Sequence, residues 1–489
     1  MNWNCLQQFE LMQLFRNIIN FIIPAITVLI LSSCGSAAQK DKSDLEKPNI
    51  IFVFTDQQTI NAMSCSGNDY LETPAMDQLA ATGVRFEQSY CTSPVCAPSR
   101  SSMITSRMPH ETGYDFNRSP REEPPEIEFP TMGEIFRDAG YRTVWAGKWH
   151  LPESYPLRAK SNYHSIPGFE LLSFYDSSIN YPEWGYGDTT DMYLADAAVS
   201  FIANYGDEKP FLLAVSFCNP HDICYVPTKP DRFPIPENME ELPPLPLNFE
   251  VAPDEPTLIQ NKREQTWYGG EIVAAANFSH TEWQNYIYHY YRMTERVDEQ
   301  IGRILNALTA KGLEENTLII FTSDHGDGAG SHRWAAKLTL YEESVKVPFI
   351  ISWKGKISPG IKQTLISGLD ILPTMCDYAG IDILESFLGK SLKPFLDDPE
   401  TESDGFIVTE LATDPKDPTW KGRMIRMNQY KYNLYSKGER SEQLFNLAED
   451  PGEMQNLVSE PDMQAVKESL RNKLVKWMEE TGDDFLDSH

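Results

Sequence analysis

Residues 48–57 read Pro-Asn-Ile-Ile-Phe-Val-Phe-Thr-Asp-Gln, a continuous apolar run of strand length that ends in polar side chains. Such a run predicts a strand buried on both faces, as in a parallel sheet covered by helices. Similar runs recur at residues 143–146, 211–217, 318–322 and 348–353, with helix-compatible segments between them. The alternation predicts an α/β fold with a large central, mostly parallel sheet flanked by helices.

Two helices are marked by their sequence pattern. Thr73 and Pro74 supply a cap and a first-turn proline for a helix that runs to about residue 82. Apolar side chains at three- and four-residue steps predict a longer helix over residues 286–311, which Gly312 ends.

The character of the chain changes beyond about residue 403. Two short strand-like runs and a terminal helix predict a smaller α+β domain with a short antiparallel sheet; they lie at residues 407–410, 430–435 and 463–480. The domain organisation that we predict is a signal peptide at 1–34, a tether at 35–47, a catalytic domain at 48–402 and a C-terminal α+β subdomain at 403–489.

The N-terminal residues are typical of an export signal. Arg16 precedes an apolar run over residues 18–31, which ends in Leu-Ser-Ser-Cys-Gly at residues 31–35. This ending resembles a bacterial lipobox, in which the cysteine, here Cys34, is lipidated. A transmembrane anchor is the alternative, but the run is shorter than the ~20 apolar residues of a span and no basic stop signal follows. We therefore expect an exported lipoprotein, in the periplasm or at the outer-membrane surface, held to the membrane by the lipid.

The formal net charge of −29 over 489 residues argues against nucleic acid as a partner, because phosphate backbones are bound by clusters of Lys and Arg. A small anion could still bind where a few cations converge. Without Cys5 and Cys34, six cysteines remain, at positions 65, 91, 96, 218, 224 and 376. In an oxidising compartment these could form three disulfides, so a disulfide is one interpretation of Cys96.

Polar side chains are concentrated at the ends of two predicted strands. Asp56 and Gln57 follow the first strand, and residues 323–327, Ser-Asp-His-Gly-Asp, follow another. Because ligands of open α/β sheets sit at the carboxyl ends of strands, oxygens from both ends could converge on a hard divalent cation. The alternative is that Asp56 and Asp324 cap following helices.

A third element is Cys96-Ala97-Pro98-Ser99-Arg100. Proline two residues after the cysteine suits the first turn of a helix, so Cys96 would sit at a helix N-terminus, where an anion is favoured. Arg100 lies one turn on and on the same face. The residues alone do not decide between a nucleophilic thiol and half of a disulfide.

With this element the chain resembles the type I sulfatases of the alkaline phosphatase superfamily, whose Cys-x-Pro-Ser-Arg signature carries a cysteine that is oxidised to formylglycine. The signature is complete here, although its usual Thr-Gly-Arg extension reads Thr105-Ser106-Arg107. The family's other motifs follow in order: residues 147–150, 219–221, 323–327, Lys337, 444–447 and 450–451. The resemblance covers roughly residues 47–477 and implies an alkaline phosphatase-like fold.

The resemblance implies a sulfuric ester hydrolase with one divalent metal, expected to be Ca²⁺. The residues it assigns to the metal are Asp56, Gln57, Asp324 and His325, with the modified Cys96 completing the shell. Many relatives have Asp at the position of Gln57 and Asn at that of His325. These two exchanges remove a charge and add a nitrogen donor.

The resemblance also assigns catalytic roles. Arg100 would orient the hydrated aldehyde at residue 96, Lys148 and His150 would contact this diol and the sulfate, Lys337 would clamp a sulfate oxygen, and His221 would protonate the departing alcohol. One hydroxyl of the diol, deprotonated with the help of the metal and Asp324, would attack sulfur, and the second would expel sulfate; a serine would lack this second hydroxyl. A formylglycine-generating maturation enzyme is an implied partner.

The expected substrate is a sulfated saccharide, such as host glycosaminoglycan or algal polysaccharide. The proline-rich insertion at residues 225–278 is expected to shape the leaving-group side of the pocket. Two alternatives remain at this point: a phosphonate monoester or phosphodiester hydrolase of the same superfamily, and a catalytically inert glycan-binding lipoprotein.

Overall fold

The computed structural model describes residues 47–117, 128–151, 166–172, 187–206, 209–264, 270–398, 401, 405–414 and 417–488. The predicted signal peptide, and the predicted tether except Lys47, lie outside this part of the chain. The strands of the described residues are β1 Asn49–Asp56, β2 Gly83–Tyr90, β3 Arg142–Gly147, β4 Glu170–Leu171, β5 Phe211–Pro220, β6 Thr317–Ser323, β7 Phe349–Ser352, β8 Gly360–Ser367, β9 Phe406–Ala412, β10 Lys421–Met427, β11 Tyr430–Tyr435 and β12 Glu442–Asn446.

The α-helices of the described residues vary from one turn to nearly nine turns in length. They are α1 Pro74–Thr82, α2 Cys96–Thr105, α3 Pro109–Thr112, α4 Met132–Asp138, α5 Gly187–Asn204, α6 Tyr225–Thr228, α7 Thr257–Glu264, α8 Gly270–Ala275, α9 His280–Lys311, α10 Glu342–Val345, α11 Ile371–Ala379, α12 Lys393–Asp397 and α13 Gln464–Thr481. Among them, none combines the length and the apolar character that spanning a bilayer requires.

The larger sheet has eight strands in the order β4-β3-β5-β1-β6-β7-β2-β8. Strand β1 lies at its centre and pairs in parallel with β5 on one side and β6 on the other. Only β7 among the strands of this sheet runs antiparallel to its neighbours, β6 and β2. The predicted α/β fold with a mostly parallel central sheet is confirmed. Strands β2 and β8 were not predicted, because charged and polar residues interrupt the apolar run in both and the first residues of β8 are exposed.

Both faces of the central strands are covered. Along β1, Ile50, Phe52 and Phe54 pack into one apolar cluster, and the alternate residues Ile51 and Val53 pack into another on the opposite face. All five side chains are buried, which explains why this strand has no polar face.

The long helix α9 begins six residues earlier than predicted. Ser279 and Glu282 form a capping box at its start, and Gly312, with a φ of 74°, ends it as predicted. Helix α1 has the predicted bounds, but its cap differs. The side chain of Thr73 makes no capping bond; the Asp298 carboxylate of α9 accepts from the backbone N–H groups of Ala75 and Met76 instead.

The second sheet is antiparallel, with four strands in the order β12-β11-β10-β9. Helix α13 packs on it through Leu470, Leu474 and Met478. This arrangement confirms the predicted smaller α+β unit, while its boundary at residues 402 and 403 stays a prediction.

Candidate active site

The carboxyl ends of four mutually parallel strands, β1, β3, β5 and β6, lie at one edge of the large sheet. Asp56 ends β1, Lys148 follows β3, His221 follows β5 and Asp324 follows β6. The parallel pairing explains how residues far apart in the sequence reach one site. Helix α2 adds Cys96 at its first position, where the sequence predicted a helix N-terminus.

Four of the residues predicted as metal ligands converge. The ligand atoms of Asp56, Cys96, Asp324 and His325 all lie within 4.8 Å of one another, and all four residues are buried. Cys96 Sγ lies 3.1 Å from His325 Nε2 and 3.8 Å from Asp56 Oδ1. Neither aspartate caps a helix, since the next described helical turns begin at residues 64 and 331, so the capping alternative is wrong.

Arg100 joins the two carboxylates. Its Nε donates to Asp324 Oδ2 at 2.7 Å and its terminal nitrogen to Asp56 Oδ2 at 2.8 Å. The other terminal nitrogen donates to Lys148 O at 2.6 Å and to Ser216 Oγ at 2.8 Å. These contacts fix both aspartates from the side of helix α2. Arg100 therefore holds the two carboxylates beside residue 96 in place. The predicted role, orienting a hydrated aldehyde at residue 96, did not include these contacts.

Two lysines extend into the same space. Lys148 Nζ donates to Asp56 Oδ2 at 2.5 Å, and Lys337 Nζ lies 3.0 Å from Cys96 Sγ. Burial raises the pKa of Asp56, but the neighbouring cations, Lys148 first, hold it well below its usual value. Asp56 is therefore ionised, as a metal ligand must be.

Cys96 is fully buried and has no disulfide partner, and each of the six described cysteines is free. Burial and Asp56 raise the pKa of its thiol, but Lys148, Lys337 and His325 outweigh them and hold the pKa well below its usual value. The site therefore favours a negative charge at residue 96, and the disulfide interpretation does not describe this structure.

The charged groups of this centre also shift the pKa values of the two remaining predicted histidines, His150 and His221. Burial and Lys148 lower the pKa of His150 to about 4, although a hydrogen bond to Cys96 opposes the shift. Burial and Lys337 hold the pKa of His221 well below its usual value, against the charge of Asp56. Both pKa values lie below 7, so both imidazoles are neutral at pH 7 in this structure.

Gln57 is oriented by Lys337 and by two residues for which no role was predicted, Asp327 and Tyr286. Its Nε2 donates to Asp327 Oδ2 at 2.7 Å, and its Oε1 accepts from Lys337 Nζ at 2.9 Å. Tyr286 of α9 donates to Asp327 at 3.0 Å and accepts from the N–H of Ala336 at 3.0 Å. Asp327 belongs to the quoted 323–327 motif, but Tyr286 lies in a helix whose pattern indicated only a core stripe.

Backbone strain is concentrated around the same residues. Gln57 has a φ of 73° and His150 a φ of 61°, and Ala336 and Leu338, on either side of Lys337, have φ values of 66° and 77°. Non-glycine residues adopt this region rarely and at a cost of about 1–3 kcal/mol each. The strain therefore affects three of the predicted site residues: Gln57 and His150 directly, and Lys337 through its two neighbours.

The donor set suits a divalent cation. Asp56 and Asp324 offer carboxylate oxygens, Gln57 Oε1 an amide oxygen and His325 an imidazole nitrogen, and hard cations prefer such oxygen-rich sets. Burial and the nearby charge of Asp56 raise the pKa of Asp324, which is the response of a carboxylate crowded by another one. A divalent ion here would offset that repulsion. The residues present fit the metal that the sequence implied.

Comparisons with known proteins agree with this geometry. The family model described as Sulfatase matches residues 48–381, and the model of the C-terminal part of N-sulphoglucosamine sulphohydrolase matches residues 330–480. A Δ4,5-hexuronate-2-O-sulfatase of Bacteroides thetaiotaomicron is 31% identical over 485 residues, which cover 93% of each chain. An N-acetylglucosamine-6-O-sulfatase of the same species is 27% identical and covers 100% of this chain and 95% of its own.

A solved structure shows the same fold. The structure of a 2-O GAG sulfatase superposes with a TM-score of 0.77 at 28% identity, and the match covers 90% of this chain and 94% of that chain. The likeness therefore extends over both sheets.

Proposed function

The chain belongs to the sulfatase family and is a sulfuric ester hydrolase, and from this premise we propose that it removes sulfate from a sulfated carbohydrate with residue 96, converted from cysteine to formylglycine, as its nucleophile. One observation carries the proposal. Lys148, Lys337 and Arg100 are all buried around residue 96, beside the two aspartates that would hold a divalent ion. Such a concentration of buried cations suits an anionic group that reacts at residue 96.

The lysines bind and neutralise the sulfate. Lys337 Nζ lies 3.0 Å from the sulfur of Cys96, where the oxygens of the formylglycine hydrate would lie. Lys148 Nζ is held beside this position by its hydrogen bond to the Asp56 carboxylate. In the transition state, charge spreads over the equatorial oxygens of the sulfuryl group. Cations fixed in advance stabilise this charge better than water, which has to reorganise. Arg100 keeps Asp56 and Asp324 in place while this happens.

His221 is the group that protonates the departing alcohol. Without substrate, Lys337 and Lys148 help to hold its pKa well below the usual value, so it is neutral. An anionic sulfate ester that binds between these lysines offsets their charge and raises the pKa of His221. Substrate binding therefore prepares the proton donor, and the proton goes to the oxygen that leaves sulfur.

Two further groups supply chemistry that unmodified side chains lack. The hydrated aldehyde of formylglycine offers one hydroxyl to attack sulfur and a second one to expel inorganic sulfate. A divalent ion, expected to be Ca²⁺, would be held by Asp56, Gln57, Asp324, His325 and residue 96, and it would lower the cost of charge on the attacking and equatorial oxygens. A maturation enzyme that oxidises Cys96 is part of this proposal.

The names of the relatives support a sulfated saccharide as substrate. Two of them are a hexuronate-2-O-sulfatase and an N-acetylglucosamine-6-O-sulfatase. The insertion at residues 225–278, described except for 265–269, follows His221 directly and would form the leaving-group side of the pocket. Export as a lipoprotein, with Cys34 lipidated, would bring the enzyme to such glycans at the cell surface or in the periplasm.

The proposal is tested by comparing substrates. Wild-type protein, produced with a formylglycine-generating enzyme, should hydrolyse a chromogenic aryl sulfate and at least one glycan of a sulfated saccharide panel faster than a phosphonate monoester. Faster phosphonate turnover would favour the hydrolase alternative.

Mass spectrometry of the tryptic peptide that carries residue 96 tests the nucleophile separately. We expect the aldehyde or its hydrate in active protein. Cys96→Ala should abolish turnover, whereas Cys65→Ala, at a free and partly exposed cysteine, should not. An unmodified thiol in fully active protein would defeat the proposed chemistry, and inactivity toward every sulfate ester would favour an inert glycan-binding protein.

A further inference from the structure

A cleft lies where the larger sheet meets the second sheet. It has a volume of about 790 Å³ and is formed where strands β2 and β8 meet the turn between β10 and β11. None of the residues predicted to bind the metal or to act in catalysis lines it. Its size is within the range of about 300–1,000 Å³ that is typical of ligand sites.

The walls of this cleft are rich in amide and hydroxyl side chains. Gln88 and Gln363 face each other across β2 and β8, with Gln88 Nε2 donating to Gln363 Oε1 at 3.3 Å. Gln429 adds an amide from the second sheet, and Thr364 adds a hydroxyl. Amides donate and accept hydrogen bonds equally well, so such a wall suits a ligand that carries many hydroxyl groups.

The cleft also carries cations in a chain with a net charge of −29. Lys346, Lys362 and Arg426 line it. The facing carboxylate of Glu342 is already engaged, because Lys431 Nζ donates to it at 3.0 Å and Tyr90 at 2.8 Å. Burial raises the pKa of Glu342, but Lys431 and Lys346 lower it to about 2. A second acid, Glu343, also lines the cleft. Burial raises the pKa of its carboxyl, although Asn248 donates a hydrogen bond to it at 2.9 Å. Three cations and two acids therefore line the cleft, and one of the acids, Glu342, is engaged by Lys431.

Arg426 is fixed before any ligand binds. It is 6% exposed, its Nε donates to Tyr90 at 3.3 Å, and one terminal nitrogen donates to Tyr430 O at 3.3 Å. A guanidinium held in this way loses little conformational entropy when an anion arrives.

From the size, the amide lining and the cations, we propose that this cleft is a second binding site, for an anionic oligosaccharide segment of the sulfated glycan. The proposal rests on the proposed function, since the glycan is the ligand of both sites. The cleft would hold a part of the chain that is not being cleaved and would keep the enzyme on its polymer between turnovers.

The experiment uses full-length protein with Cys96→Ala, which binds but does not turn over. Hexasaccharides of heparin, chondroitin sulfate and ulvan, each with its desulfated form, are titrated calorimetrically. In this background the double variant K346Q/K362Q is compared with K356Q/K476Q, which removes the same charge from exposed lysines outside the cleft.

We expect a second binding event for at least one sulfated hexasaccharide. In K346Q/K362Q this event should weaken by roughly three- to tenfold, the effect of losing two partly exposed charge contacts, while K356Q/K476Q should leave it unchanged. Absence of a second event, equal weakening by both variants, or equal binding of the desulfated form would overturn the proposal.

Aryl sulfate hydrolysis by the same double variants with Cys96 retained shows that they fold, and it should match the wild type. If the wild type hydrolyses no sulfate ester, the proposed function fails, which is a different result from the loss of the second binding event.

Discussion

Gln57 Nε2 donates to the Asp327 carboxylate at 2.7 Å, and this bond turns Gln57 Oε1 toward Lys337 Nζ, which donates to it at 2.9 Å. An amide can present either its oxygen or its nitrogen, so a glutamine in this position needs a neighbour that distinguishes the two. Asp327, supported by Tyr286, is this neighbour. The arrangement gives Gln57 the oxygen that an aspartate would offer at the same position.

The variant Asp327→Asn should therefore act through Gln57. An asparagine can also donate, so only Lys337 still distinguishes the two ends of the amide and its orientation is held less firmly. We expect calcium affinity and kcat/KM to fall by roughly 10- to 100-fold, as for other partners that orient metal ligands. Calcium titration and aryl sulfate kinetics measure both quantities. Tyr286→Phe keeps the carboxylate and should give a smaller loss. Unchanged calcium affinity in Asp327→Asn would contradict this role.

Chelation of the divalent ion should remove activity and lower the melting temperature. Asp56 and Asp324 are buried side by side, and a bound cation that prefers the folded state adds stability in proportion to its affinity. We expect Ca²⁺ to restore both properties, measured by aryl sulfate turnover and thermal unfolding.

Two variants locate the ion. Asp324→Asn should weaken calcium binding, whereas Glu453→Gln should not, although Glu453 belongs to another cluster of possible ligands, with His332 and Glu343. If Glu453→Gln weakens calcium binding and Asp324→Asn does not, the ion binds at the second cluster and not beside residue 96.

His221→Ala should affect poor leaving groups most. An aryl oxide leaves without much help, but a sugar alkoxide needs a proton as the bond to sulfur breaks. We expect a loss of about 10²- to 10⁴-fold for a saccharide sulfate, the usual contribution of a general acid, and a much smaller loss for a nitrophenyl sulfate. The rates of a series of aryl sulfates against leaving-group pKa measure the difference, because the slope should steepen in the variant. An equal loss for all substrates would indicate that His221 binds sulfate rather than donating a proton.

The sequence predicted the centre of the fold because its signal is local. The apolar run that ends at Asp56 carries its own evidence of double-sided burial, and the strands that end near Lys148 and Asp324 do the same. Strand β8 shows the limit. It lies at the edge of the sheet and exposes Gly360 and Ile361, so that it lacks an apolar pattern and is recognisable only through its pairing with β2.

The residues of the candidate site likewise fall into those that a local sequence motif predicts and those that only the three-dimensional structure reveals. Residues in linear motifs, such as Cys96 and His325, could be assigned from the sequence, and the structure brings them together; their roles stay predictions. Tyr286 could not be assigned, because it acts through Asp327, a partner 41 residues away in the sequence. Tyr286 lies on the buried face of α9, where the helical pattern predicts only core packing. Its role is recognised from the structure, which shows its hydroxyl donating to Asp327.

The ion pair between His110 and Glu410 should make stability depend on pH. His110 of α3 lies 2.5 Å from Glu410 of β9 and thereby links the large sheet's helices to the second sheet. Burial lowers the pKa of His110, but Glu410 outweighs it and the pKa rises from 6.5 to about 9. The folded protein thus binds this proton more tightly than the unfolded chain, so the stabilisation is complete below pH 6.5 and is lost as the pH rises to about 9.

A pKa unit corresponds to ~1.4 kcal/mol, so the free energy of unfolding should fall by about 3 kcal/mol over this range because of His110 alone. Urea unfolding at a series of pH values measures it. His110→Gln should be less stable at pH 6 and should flatten the curve between pH 6.5 and 9, because glutamine does not titrate. His280→Gln, at an exposed histidine, should keep the wild-type curve. A curve that stays equally steep in His110→Gln would show that another group is responsible for the pH dependence.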